Sequence, residues 1–87
     1  MTAKKMTIGA PDGLHARPAG ELARLVKSFP GTRVTLSAGG KEVSAASILS
    51  ILSLALKKGT EIEVKAEGPD EGKVLDEVTR FLDSLQG

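Results

Sequence analysis

Two hydrophobic periods divide this chain. "KKMTIG" (residues 4–9) puts Met6 and Ile8 on one side and predicts a first strand. From Ala16 to Phe29 the apolar positions Ala19, Leu22, Leu25, Val26 and Phe29 keep helical spacing. "FPG" closes that helix with a proline and a glycine. "RVTLSA" and "KEVSA" alternate through Val34, Leu36, Val43 and Ala45, and the "GG" between them predicts a hairpin. Residues 47–56, "SILSILSLAL", predict a second helix with Lys57, Lys58 and Gly59 as its closing signals. "TEIEVKAE" points Ile62, Val64 and Ala66 inward as a strand. Asp70 is the expected N-cap of a last helix carrying Val74, Leu75, Val78, Phe81, Leu82 and Leu85.

The order is therefore β-α-β-β-α-β-α. Four short strands cannot bury both faces of a sheet. The expected fold is an α+β, open-faced two-layer sandwich: a four-stranded antiparallel sheet covered on one face by three helices. No repeat, linker or low-complexity segment interrupts it, so residues 1–87 read as a single domain.

Composition narrows the chemistry. At 87 residues a deep enclosed catalytic pocket is not expected, which directs attention to the surface. The absence of cysteine excludes a disulfide framework and thiolate metal sites. No apolar run reaches membrane-spanning length, so no membrane insertion is expected. The lysines of "MTAKKMTIGAPDG" have no apolar signal core behind them, and the cytoplasm is the expected compartment. A formal net charge of +1, with two Phe and no Tyr or Trp, offers neither the field nor the stacking platform of a nucleic-acid binder.

The single histidine lies in "GLHARPAGELARL" (residues 13–25). Pro18, with no N–H and a fixed φ, suits a first helical turn. His15 and Ala16 then fall at the helix start, where free N–H groups and the positive dipole end form an anion site. Arg17 adds a guanidinium that matches phosphate oxygens. A histidine beside such a site can take a phosphoryl group as a covalent nucleophile. Surface histidines are mostly passive; the proline, the arginine and the basic face set this one apart. At 100° per residue, Arg17, Gly20, Arg24 and Lys27 share a basic strip headed by His15, opposite the core-facing Leu22, Leu25, Val26 and Phe29. Asp12, Glu21 and Asp70 read as ordinary turn or helix-start residues.

The second helix holds more apolar residues than one buried face can take. Ile48, Ile51, Leu52, Leu54 and Ala55 can share the core side. Leu49 and Leu56 then fall outside it, with Leu52 at the border. An apolar patch beside a basic strip suits docking to an apolar, acidic-rimmed partner. Ser47 is the candidate N-cap of this helix.

"GLHARPAG" resembles the active-site motif of the HPr family, the histidine-containing phosphocarriers of the bacterial phosphoenolpyruvate-dependent sugar phosphotransferase system. "VSAASILSILSLALKKGTEIEVKAEGPDE" resembles the family's second conserved stretch, and together the likeness spans residues 4–86. The resemblance implies the fold read above. It implies that His15 takes phosphate on Nδ1 from phosphorylated enzyme I and passes it to sugar-specific IIA proteins. Arg17 would steady the phosphate, and Gly20, Arg24, Lys27, Leu49, Leu52 and Leu56 would form the docking surface. Ser47 matches the family's regulatory serine, the target of an ATP-dependent HPr kinase/phosphorylase, which brings in a catabolite-control regulator. No cofactor or metal is implied, and a monomer is expected.

The chain departs from the family at several places. Ala46 replaces a common Lys, and Leu49 and Leu52 replace common Met residues, which bears on kinase and regulator recognition. Ser50 and Ala55 stand where Gly is frequent, and each exchange is expected to raise helix propensity by about 0.5–1 kcal/mol. Two other readings stay open. One is a paralogous phosphocarrier of a nitrogen-linked or dihydroxyacetone kinase branch. The other is a non-catalytic RNA-binding module with the same element order, which the missing platform aromatics oppose.

Overall fold

The structure, a computed structural model, describes residues 1–85; the last two residues of the expected 1–87 domain lie outside the described residues. Seven elements follow in the expected order: β1 (Thr2–Thr7), α1 (Ala16–Lys27), β2 (Arg33–Ala38), β3 (Lys41–Ser44), α2 (Ile48–Ser53), β4 (Glu61–Glu67) and α3 (Glu71–Ser84). The strands form one sheet in the order β1-β4-β2-β3, with every neighbouring pair antiparallel. The fold is the expected open-faced sandwich.

The pleat sorts side chains between two faces. Leu36 stands opposite Val43 in β3 and Val64 in β4, and Val34 opposite Ala66, so these share one face. Leu22 and Val26 of α1 and Val74, Val78 and Leu82 of α3 cover it, all buried. Each such side chain contributes about 1.5–3 kcal/mol on burial. The other face is polar. Lys5, Glu63, Ser37 and Glu42 lie in one cross-strand row. Lys65 Nζ reaches Glu42 Oε2 at 2.9 Å and Glu63 Oε1 at 3.6 Å.

Several boundaries differ from the sequence reading. β1 begins at Thr2 rather than Lys4, and α1 ends at Lys27, with Ser28 as its C-cap. Phe29 still packs on the core from outside the helix. Asp70 occupies the N-cap position of α3 but in a left-handed conformation (φ 58°), and its side chain makes no capping bond. Glu71 Oε1 instead ties the turn before the helix, accepting the Gly68 N–H at 3.4 Å.

The largest difference is α2. It spans six residues, Ile48–Ser53, instead of running to Leu56. Leu54 caps it and Ala55 turns left-handed, at φ 51°. Ala55 is thus outside the helix, where its Cβ is unfavourable rather than helix-promoting. The cause is tertiary. Leu56 must enter the core, where it is 4% exposed, while its carbonyl accepts the Leu14 N–H at 3.0 Å. A continued helix could do neither. Lys57, Lys58 and Gly59 accordingly belong to the turn into β4, where the Gly59 N–H donates to the Ile8 carbonyl at 2.7 Å.

Candidate functional site

The loop between β1 and α1 is held from below. Its turn closes with the Gly13 N–H donating to the Ala10 carbonyl at 2.9 Å. Leu14 is buried and donates to Leu56. Gly13 has φ +70°, and a Cβ there would run into the Leu56 carbonyl oxygen, so this close approach needs glycine. His15 follows with extended backbone (φ −88°, ψ −171°) as the N-cap of α1. Its side chain makes no capping bond and is exposed.

The first helical bond runs from the Ala19 N–H to the His15 carbonyl, at 3.0 Å. The N–H groups of Ala16 and Arg17 precede it and lie beyond the intrahelical ladder, and Pro18 has none. Pro18 and Ala19 are buried and fix the helix start against the core. No acidic residue stands in the first turn to occupy these donors. Arg17 is exposed, with Nε 3.7 Å from Glu21 Oε1. His15, Arg17, Pro18, Glu21 and Leu85 line one open depression of about 310 Å³. The sequence reading took Glu21 as an ordinary helix-start residue and Leu85 as part of the apolar series of the last helix, not as members of this site. The i,i+4 spacing of Glu21 from Arg17 was the signal for the first; no local pattern placed the end of α3 there.

Arg24 and Lys27 continue the exposed basic side of α1. Gly20 is half-buried, and a Cβ there would come within 3.8 Å of Ile48 Cδ1. Gly20 therefore faces α2 and joins the strip to the apolar patch. That patch differs from the expected one. Leu49 is 80% exposed, Leu52 is half-buried and Leu56 lies in the core, so Leu56 is no docking residue. Ile48, expected inside, is 42% exposed and takes its place. The six-residue helix turns Ile48 and Leu49 outward together and leaves Ile51 as its buried residue. Ser47 caps α2 as expected, its Oγ accepting the Ser50 N–H at 3.3 Å.

An open-faced α+β sandwich that presents one exposed histidine at a helix start, beside an arginine, is the build of a small phosphocarrier. Comparison with known proteins says which kind. The family described as "PTS HPr component phosphorylation site" matches residues 2–84. Phosphocarrier protein HPr of Haemophilus influenzae is 34% identical over 86 residues, covering 99% of this chain and 100% of that protein. A multiphosphoryl transfer protein of Xanthomonas campestris is 38% identical over 79 residues, covering 91% of this chain and 9% of that protein. The crystal structure of HPr-C-His from Thermoanaerobacter tengcongensis superposes with a TM-score of 0.92 at 30% identity, covering 100% of this chain and 97% of that one. The chain belongs to the HPr family of phosphocarrier proteins of the phosphotransferase system. No helix among the described residues is long and apolar enough to cross a membrane.

Proposed function

We propose that His15 accepts a phosphoryl group from phosphorylated enzyme I and donates it to sugar-specific IIA proteins. The observation that carries this reading is the exposed His15 ring at the α1 start, sharing a depression with Arg17. The ring nitrogen's lone pair attacks phosphorus. The bond to the donor's histidine breaks, and its electron pair returns to the donor ring. Arg17 and the N–H groups of Ala16 and Arg17 face the charge that arrives. The same steps in reverse pass the group on. Arg24, Lys27 and Gly20 with Leu49, Leu52 and Ile48 form the surface on which both partners dock.

The test uses purified enzyme I and phosphoenolpyruvate. The chain takes up one acid-labile phosphate, and His15→Ala takes up none. Normal labelling of His15→Ala would sink the reading.

Ser47 is the regulatory position in the same proposal. A phosphate on its Oγ would suit the start of α2 yet add nearly two negative charges beside Leu49 and the basic strip, repelling acidic partners. An ATP-dependent HPr kinase/phosphorylase is the proposed modifying enzyme, and a catabolite-control regulator the proposed reader. Incubation with that kinase labels the wild type and leaves Ser47→Ala unlabelled. In this proposal the carrier works in the cytoplasm as a single domain, residues 1–87, and as a monomer, the last of which sedimentation in solution checks.

A further inference from the structure

Glu21 is the one acidic side chain on α1, and it borders the depression that holds His15. Its Oε1 lies 3.7 Å from Arg17 Nε, with the two side chains 51% and 86% exposed. We propose that Glu21 is a positioning residue that holds Arg17 while His15 is unloaded and releases it when phosphate arrives, so that phosphate binds less tightly and is passed on more readily. The proposal rests on the reading of His15 as the phosphoryl acceptor.

Arg17 has one guanidinium and two claimants. A phosphoryl group on His15 brings a dianion whose oxygens match the guanidinium fork in charge and shape. The competing pair with Glu21 is weak: it is exposed, and an arginine preceding its carboxylate at i,i+4 is the less favourable orientation. Phosphate therefore wins, but only after the Arg17–Glu21 pair is broken. The unloaded state keeps an interaction that the loaded state lacks, and that difference raises the free energy of phosphate on His15. Of the other lining side chains, Pro18 and Leu85 carry no charge and His15 bears the phosphate itself, so none replaces Arg17 as Glu21's partner.

The experiment reads the equilibrium directly. Wild-type chain carrying phosphate is mixed with an equal amount of Glu21→Gln, told apart by an isotope label, and a catalytic trace of enzyme I. An N–P bond breaks on one copy and forms on the other by way of enzyme I's histidine, so nothing is consumed. Docking alters the rate in both directions alike and leaves the partition unchanged. Phosphate is expected to favour Glu21→Gln by about two- to fivefold, the scale of a weak exposed ion pair. Between Arg17→Gln and the double variant Arg17→Gln/Glu21→Gln the preference falls by more than half. An even partition between wild type and Glu21→Gln, with Arg17 present in both, overturns the proposal. So does a preference that is undiminished without Arg17, since Glu21 would then act without it. Failure of the underlying reading looks different: no copy takes phosphate, or His15→Ala takes it equally well.

Discussion

Leu49 and Leu56 lie seven residues apart and look alike in the sequence; the fold gives them opposite environments. Leu49 is 80% exposed, whereas Leu56 is 4% exposed. Leu49→Ser should leave stability within about 0.5 kcal/mol of wild type while slowing phosphoryl transfer from enzyme I, read by denaturant unfolding and by transfer kinetics. Leu56→Ala should lower stability by about 2–5 kcal/mol, read by the same unfolding curve. Equal effects on stability would mean that burial has been misassigned between them. Ala55 gives a prediction of opposite sign. Its Cβ sits at φ 51°, a conformation that costs an L-residue about 1–2 kcal/mol. Glycine removes that strain but adds about 0.4–1 kcal/mol of unfolded-state freedom. Ala55→Gly should therefore stabilise the protein by about 0.5–1 kcal/mol, raising Tm by a few degrees in a thermal melt.

Among the elements, the strands were the most legible. In β2 and β4 polar residues alternate with apolar ones, because one face of the sheet is covered and the other is not. The extent of α2 was not legible. Outside the side held by Ser47, Ser50 and Ser53 its segment is apolar as far as Leu56, so periodicity could not mark a stop; the stop comes from Leu56 entering the core. For the same reason Ile48 and Leu56 exchanged places. The polar face of the sheet carries its own prediction. The Lys65 ammonium and then the Ser37 hydroxyl hold the Glu42 carboxyl below its ordinary range, and Glu42 holds Lys65 above its own. A depressed carboxyl contributes stability that is present at neutral pH and lost as pH falls through its folded value. Lys65→Met should move the Glu42 titration upward, towards ordinary glutamate, in a carbon-detected NMR titration. An unmoved Glu42 would show that the ion pair does not persist in solution.

At the scale of the whole molecule, the layers and the proposed nucleophile were readable in the sequence, but not how they are tied together. His15, Arg17 and Pro18 fall within four successive residues, and helix-start chemistry makes their grouping readable. Glu21 is one turn on and needed only the i,i+4 rule. The bond from Leu14 to Leu56 joins residues from separate halves of the chain and leaves no local trace. The pairing of β1 with β4 is equally remote in sequence. These links have a consequence for the order in which the chain is made. The histidine leaves the ribosome early, but the strand beside β1 and the carbonyl that anchors its loop are synthesised much later. A nascent chain stopped after α1 has every residue of the phosphate-binding motif and no framework to hold it. On the proposed function, competence to carry phosphate arrives only when the late strand has docked, and an unfinished chain draws no phosphate away from finished carriers.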